Sequence, residues 1–228
     1  MRFISRILTD GFTVDLLLDL LARVFIVFCV TPIHEVAHGF MAYKLGDNTA
    51  KNRGRLTLNP LAHIDPIGAL MIFFIGFGYA KPVPVNIGNF KRNKRKQYMA
   101  LTALAGPVSN ILMAIIFAFI SRAILATGVY ENTLPYYICV FLEYTVLINI
   151  TLAVFNMIPI PPYDGSRILS AILPDKQYYT LMKYERYTSL IVIVLFFSGV
   201  LDNIISAVSS PIYGAIDHLV SLPFELFL

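Results

Sequence analysis

The chain has 228 residues, of which 57% are hydrophobic and 14% charged, and its mean hydropathy is +0.69. Soluble domains are about 45–50% apolar and about 25% charged, so much of this surface must face lipid rather than water. The formal charge of +4 is read as basic loops and headgroup contacts rather than as a nucleic-acid surface. Cys29 and Cys139 both lie in apolar runs, with no CxxC pair and no disulfide framework.

Taken in chain order, residues 1–23 predict an N-terminal interfacial helix, with no small-residue cleavage site of a signal peptide after it. Asp15, Asp19 and Arg23 fall at i, i+4 spacing, a ladder that is costly in hydrocarbon. Residues 24–208 predict a membrane-embedded core. Spanning a bilayer takes about 20 apolar residues, and four stretches qualify. They are Val24 to Tyr43, Met99 to Thr127, Leu134 to Ile160, and Thr188 to Leu201 extended by Asn203 to Val208. The expected fold is therefore mostly α, a polytopic helical bundle of about four spans. Residues 209–228 predict a C-terminal interfacial or peripheral helix.

Leu45 to Gln97 differs in character from the spans around it. Arg55 to Asn59 alternates polar and apolar residues, and Lys81 to Asn86 does so with prolines. Both read as short strands of a small membrane-associated β hairpin or sheet between the first two spans. Ile67 to Tyr79 is apolar but too short to cross, and Gly68, Gly76 and Gly78 interrupt it, which suggests a re-entrant segment. Lys and Arg gather at positions 44–55, 91–96 and 167–186, whereas the loop from Gly128 to Thr133 has none. That distribution places the basic loops in the cytoplasm and the N-terminus outside.

His34-Glu-Val-Ala-His38 is an HExxH motif inside the first span. On a helix the i, i+4 spacing puts both imidazoles on one face, where they can share one metal ion. Glu35 can reach a metal-bound water and take its proton. A hydrogen-bonded polar cluster is the bland alternative, but three ionisable groups at membrane depth are expensive unless they pair or coordinate. A hydrolytic zinc takes three protein ligands and leaves one position open. Asp164, where three prolines break the third span, is the candidate third ligand. It reads equally as the cap of a helix beginning near Ser166.

The segments HEVAHG, GDNTAKNRGRLTLNPLAHIDPIG, YAKPVPVN, ALAGPVSN and FNMIPIPPYDGSRIL occur in this order between Thr31 and Leu173. Together they resemble the site-2 protease family of intramembrane zinc metalloproteases, in its compact branch without PDZ or CBS domains. Tyr163 departs from the leucine common before the Asp-Gly pair. The resemblance implies one Zn2+ per chain held by His34, His38 and Asp164, with Glu35 as general base and then proton donor. It implies that Asn156 holds the scissile carbonyl or its oxyanion. His63 matches a family pattern near the active-site side, and with Asn110 it is a candidate supporting residue behind the ligands. Alone, each reads as readily as a structural hydrogen-bonding group.

The implied activity is a zinc-dependent endopeptidase that uses metal-activated water to cut peptide bonds in or near transmembrane segments. Its partners would be a membrane protein or membrane-embedded peptide and the lipid bilayer, with no nucleic acid. The expected location is the plasma membrane of a prokaryote, with the active site nearer the cytoplasm. The alternative from another class is a non-proteolytic membrane metal-binding scaffold. Intact His34, Glu35, His38 and Asp164 favour the enzyme, because a scaffold has no use for a general base. A transporter is disfavoured, since no inverted repeat is visible.

Overall fold

The structure is a computed structural model that describes residues 11–75, 78–184, 187, 188, 191, 192, 194, 195 and 198–225. Helix α1, Val14–Phe25, opens with Thr13 as its N-cap, the hydroxyl accepting the Leu16 N–H at 3.2 Å. It runs through a π-helical turn, Ile26–Val30, directly into α2, Thr31–Lys44. The Thr31 hydroxyl donates to the Ile26 carbonyl across that wider turn. A π turn inserts a residue and re-phases the helix face. The buried side of α1 (Leu16, Asp19, Ala22) thus continues into His34, Glu35 and His38 of α2.

A short α3, Thr49–Asn52, and α4, Pro66–Ile75, follow before the long α5, Arg95–Leu125. Helix α6, Leu134–Asn156, returns along α5. The short α7, Asp164–Ile168, comes next, then α8, Asp175–Lys183, and α9, Val200–Glu225, which packs on both α5 and α6. The core between them is apolar: Ile26, Val30, Ala114, Phe117, Val146 and Ile150 are all buried. Phe25 meets Phe117 and Phe141 edge to face, at 5.6 and 5.7 Å between ring centres. The outer face of α5 exposes Leu112, Ile116 and Phe119, a surface suited to lipid and not to water.

Among the described residues three helical segments are long and apolar enough to cross a membrane, Val14–Lys44, Arg92–Leu125 and Leu134–Asn156. They correspond to the first three of the four expected spans. The fourth stretch falls partly outside the described residues, and its end enters α9. In the first segment, the Arg23 guanidinium donates to both Asp19 oxygens at 3.1 and 3.0 Å and to the Ile72 carbonyl of α4 at 3.2 Å. Two members of the charge ladder, Asp19 and Arg23, thus form an internal pair that ties α1 to α4, while Asp15 is exposed. The return from α4 is close: a β-carbon on Gly68 would lie 1.8 Å from the Tyr79 carbonyl oxygen. Only glycine permits that backbone contact.

The expected β hairpin or sheet is not present, for no strand occurs among the described residues. Residues 55–59 and 81–86 lack helix or ladder because their donors go elsewhere. The Lys81 N–H donates to the His63 carbonyl at 2.8 Å, and the Arg55 guanidinium donates to the Lys81 carbonyl at 2.7 Å. Val83 and Asn86 give their N–H groups to the carboxylates of Glu35 and Asp47. Pro82 and Pro84 have no N–H to offer. The alternation in sequence reflects side-chain anchoring rather than strand pairing.

Asp47 is the main anchor. Fully buried, it accepts from the Asn86 N–H at 2.6 Å, the Asn89 side-chain amide at 2.7 Å, and the Thr49 N–H and hydroxyl at 3.0 and 2.5 Å. Burial pushes its carboxyl up, and these donors outweigh that and hold it below the usual carboxylate range.

Candidate active site

His34 and His38 project from successive turns of α2, and their Nε2 atoms lie 3.0 Å apart. Asp164, first residue of α7, brings its Oδ2 to 3.4 Å from the first and 3.1 Å from the second. All three residues are buried. The ring orientations are set from behind: His34 Nδ1 bonds Asn110 Oδ1 at 2.9 Å, and His38 Nδ1 bonds the Thr102 carbonyl at 2.8 Å. A carbonyl can only accept, so the Nδ1 of His38 carries the proton and its Nε2 presents a lone pair. Asn110 Oδ1 imposes the same tautomer on His34.

Two imidazole lone pairs and a carboxylate oxygen packed this closely repel one another unless a cation sits among them. Ligands about 2.0–2.1 Å from a tetrahedral zinc stand about 3.3 Å from each other. The observed separations of 3.0, 3.1 and 3.4 Å therefore fit one such ion.

Glycines make this convergence possible. A β-carbon on Gly106 would stand 2.3 Å from His38 Nε2 and 2.6 Å from His34 Cε1, so α5 reaches the histidines only without a side chain there. A β-carbon on Gly165 would stand 2.3 Å from the Met157 carbonyl oxygen, so Gly165 lets α7 settle on the turn after α6 and present Asp164. The Tyr163 ring packs edge to face on Phe155 at 4.4 Å, and burial pushes its hydroxyl up to about 12, so it stays neutral.

A cavity of about 310 Å³ opens over these donors. Glu35, Asn110, Asn156 and Arg167 line it together with His34, His38 and Asp164. Glu35 Oε2 accepts the Val83 N–H at 2.8 Å, and Asn156 closes the C-terminal end of α6. His63 is not among the lining residues. It is fully buried, with Nε2 on the Thr57 carbonyl at 2.7 Å, and it knots the 57–81 region together. Sequence reasoning missed the Thr102 carbonyl and the Val83 N–H, because backbone groups leave no mark in residue identity. It counted Arg167 only as a basic loop residue, although its spacing of three from Asp164 puts both on one side of a helix.

Residues 125–201 match the model of Peptidase family M50. Over 169 residues the chain is 38% identical to a Bacillus subtilis protein provisionally named zinc metalloprotease YwhC, covering 72% of this chain and 74% of that one. It is 28% identical to a Mycolicibacterium smegmatis protein provisionally named zinc metalloprotease Rip2, over 75% of this chain and 64% of the relative. A zinc metalloprotease so named in Methanocaldococcus jannaschii is 30% identical over 68% of this chain and 82% of its own length. No solved structure matches. Fold and site together define an integral membrane protein built around a metal-binding peptidase motif. The chain belongs to peptidase family M50, the site-2 proteases.

Proposed function

We propose that this chain is a zinc-dependent endopeptidase that hydrolyses peptide bonds in or near transmembrane segments of membrane-embedded substrates. The observation that carries this reading is that Glu35 and the three converging donors share one cavity among membrane-spanning helices. His34, His38 and Asp164 would hold the metal. Zinc bound there would lower the pKa of water to about 7 and polarise the scissile carbonyl.

The other steps belong to the protein. Glu35 takes a proton from the attacking water and delivers it to the leaving amine. The Val83 N–H fixes one of its oxygens, and the other makes no hydrogen bond among the described residues. The amide of Asn156 donates to the oxygen on which negative charge develops. Asn110 and the Thr102 carbonyl keep the imidazoles in register. The basic stretches at 44–55, 91–96 and 167–186 support a cytoplasmic position for the end of the bundle that carries the site. The location that suits this reading is the plasma membrane of a prokaryote.

Zinc analysis of purified protein beside a cleavage assay on a model transmembrane peptide tests the proposal. One zinc per chain and cuts within or beside the apolar segment are expected. Stoichiometric zinc without cleavage of any membrane peptide would return the protein to the scaffold class.

A further inference from the structure

We propose that Arg167 is a substrate-contact residue that recognises a carboxylate in the active-site cavity, an inference that rests on the proteolytic reading above. Among the described residues lining that cavity it is the only lysine or arginine. It sits on the last turn of α7, three residues after Asp164. Its guanidinium makes no hydrogen bond and no ion pair with any described residue. The cavity has two carboxylates of its own, yet neither is spent on Arg167. Glu35 takes the Val83 N–H, and Asp164 faces the imidazoles.

Arg167 is a half-buried residue, and its guanidinium presents a planar fork of donors that suits a carboxylate in two-point contact. Other basic side chains nearby have protein acceptors, as Lys96 has in the Leu173 carbonyl and Arg95 in the Gly88 carbonyl. Among the described residues Arg167 has no such acceptor, and it lines the cavity that a substrate would enter.

Two substrate groups carry that chemistry: an acidic side chain near the cut, and the α-carboxylate created when water adds to the scissile carbonyl and the amine departs. Two comparisons separate them, each made in wild type, R167Q and R167K. The first uses one transmembrane peptide with Glu or Gln beside the cut. The second uses the N-terminal product fragment ending in a carboxylate or a carboxamide, measured as an inhibitor and by direct binding to E35Q.

If the side chain is the ligand, wild type prefers the Glu peptide about tenfold in KM and R167Q loses that preference. If the α-carboxylate is the ligand, the fragment's carboxylate margin falls about tenfold in R167Q, the remainder belonging to zinc. R167K, a point charge without the fork, falls between. Zinc content reports whether each variant is folded. Should R167Q lose zinc, R167K decides, and a preference unchanged in R167K overturns the proposal. Equal preferences in wild type and R167Q in both comparisons also overturn it. Absence of all cleavage in wild type would instead end the proteolytic reading, and fragment binding to E35Q would still report on Arg167.

Discussion

The Oε2 atom of Glu35 accepts the backbone N–H of Val83 at 2.8 Å, joining two residues 48 positions apart in sequence. The bond holds the carboxylate beside the metal-ligand cluster and closes one wall of the cavity with the 78–83 segment.

E35Q keeps this bond, because an amide oxygen still accepts, but it removes the group that takes a proton. The variant is expected to retain stoichiometric zinc and lose cleavage by at least about a hundredfold. Metal analysis beside the peptide assay checks it. Loss of zinc would make Glu35 a ligand.

G106A is expected to separate α5 from α2, because its β-carbon would stand 2.3 Å from His38 Nε2. Zinc affinity should fall at least about tenfold, and N110A should lower it about 10–100-fold by freeing the His34 ring. Competition with a chelator measures both. Wild-type affinity in G106A would show that the helices reseat without cost.

Asp47 predicts an acid sensitivity. Its folded-state pKa lies below the unfolded value of about 3.9, so its stabilisation is complete above that value and is lost as pH falls through the folded pKa. Near neutral pH, D47N should destabilise the 86–89 turn by about 2 kcal/mol, the scale of a hydrogen bond to a charged group. Toward pH 3 the difference from wild type should shrink. Hydrogen exchange at Asn86 and Asn89 across pH reads this directly, and a difference independent of pH would assign the effect to shape rather than charge.

Substrates should be cut faster where their helices open easily. A helical peptide bond is closed by i→i−4 hydrogen bonds, and opening it in hydrocarbon exposes costly polar groups. Glycine and proline weaken a helix by about 1 and about 3 kcal/mol. Replacing such residues near the cut by leucine should slow cleavage several-fold or more while leaving insertion intact. Equal rates would show that opening the helix does not limit turnover.

Much of the site was legible in residue order because its chemistry is periodic. His34 and His38 share a helix face by spacing alone, Glu35 follows from the motif, and apolar length marks three of the spans. Composition likewise settles that lipid is the solvent. Tertiary structure decided what spacing cannot carry: that Asp164 arrives 3.1 Å from His38 across 126 residues, that Asn110 meets His34, and that His63 stays away from the cavity. It also replaced the expected hairpin, since alternation along 55–59 and 81–86 is the same whether backbone donors meet another strand or the carboxylates of Glu35 and Asp47. Backbone donors and acceptors are identical at nearly every residue, so their partners are chosen by the packing of distant segments and not by local sequence.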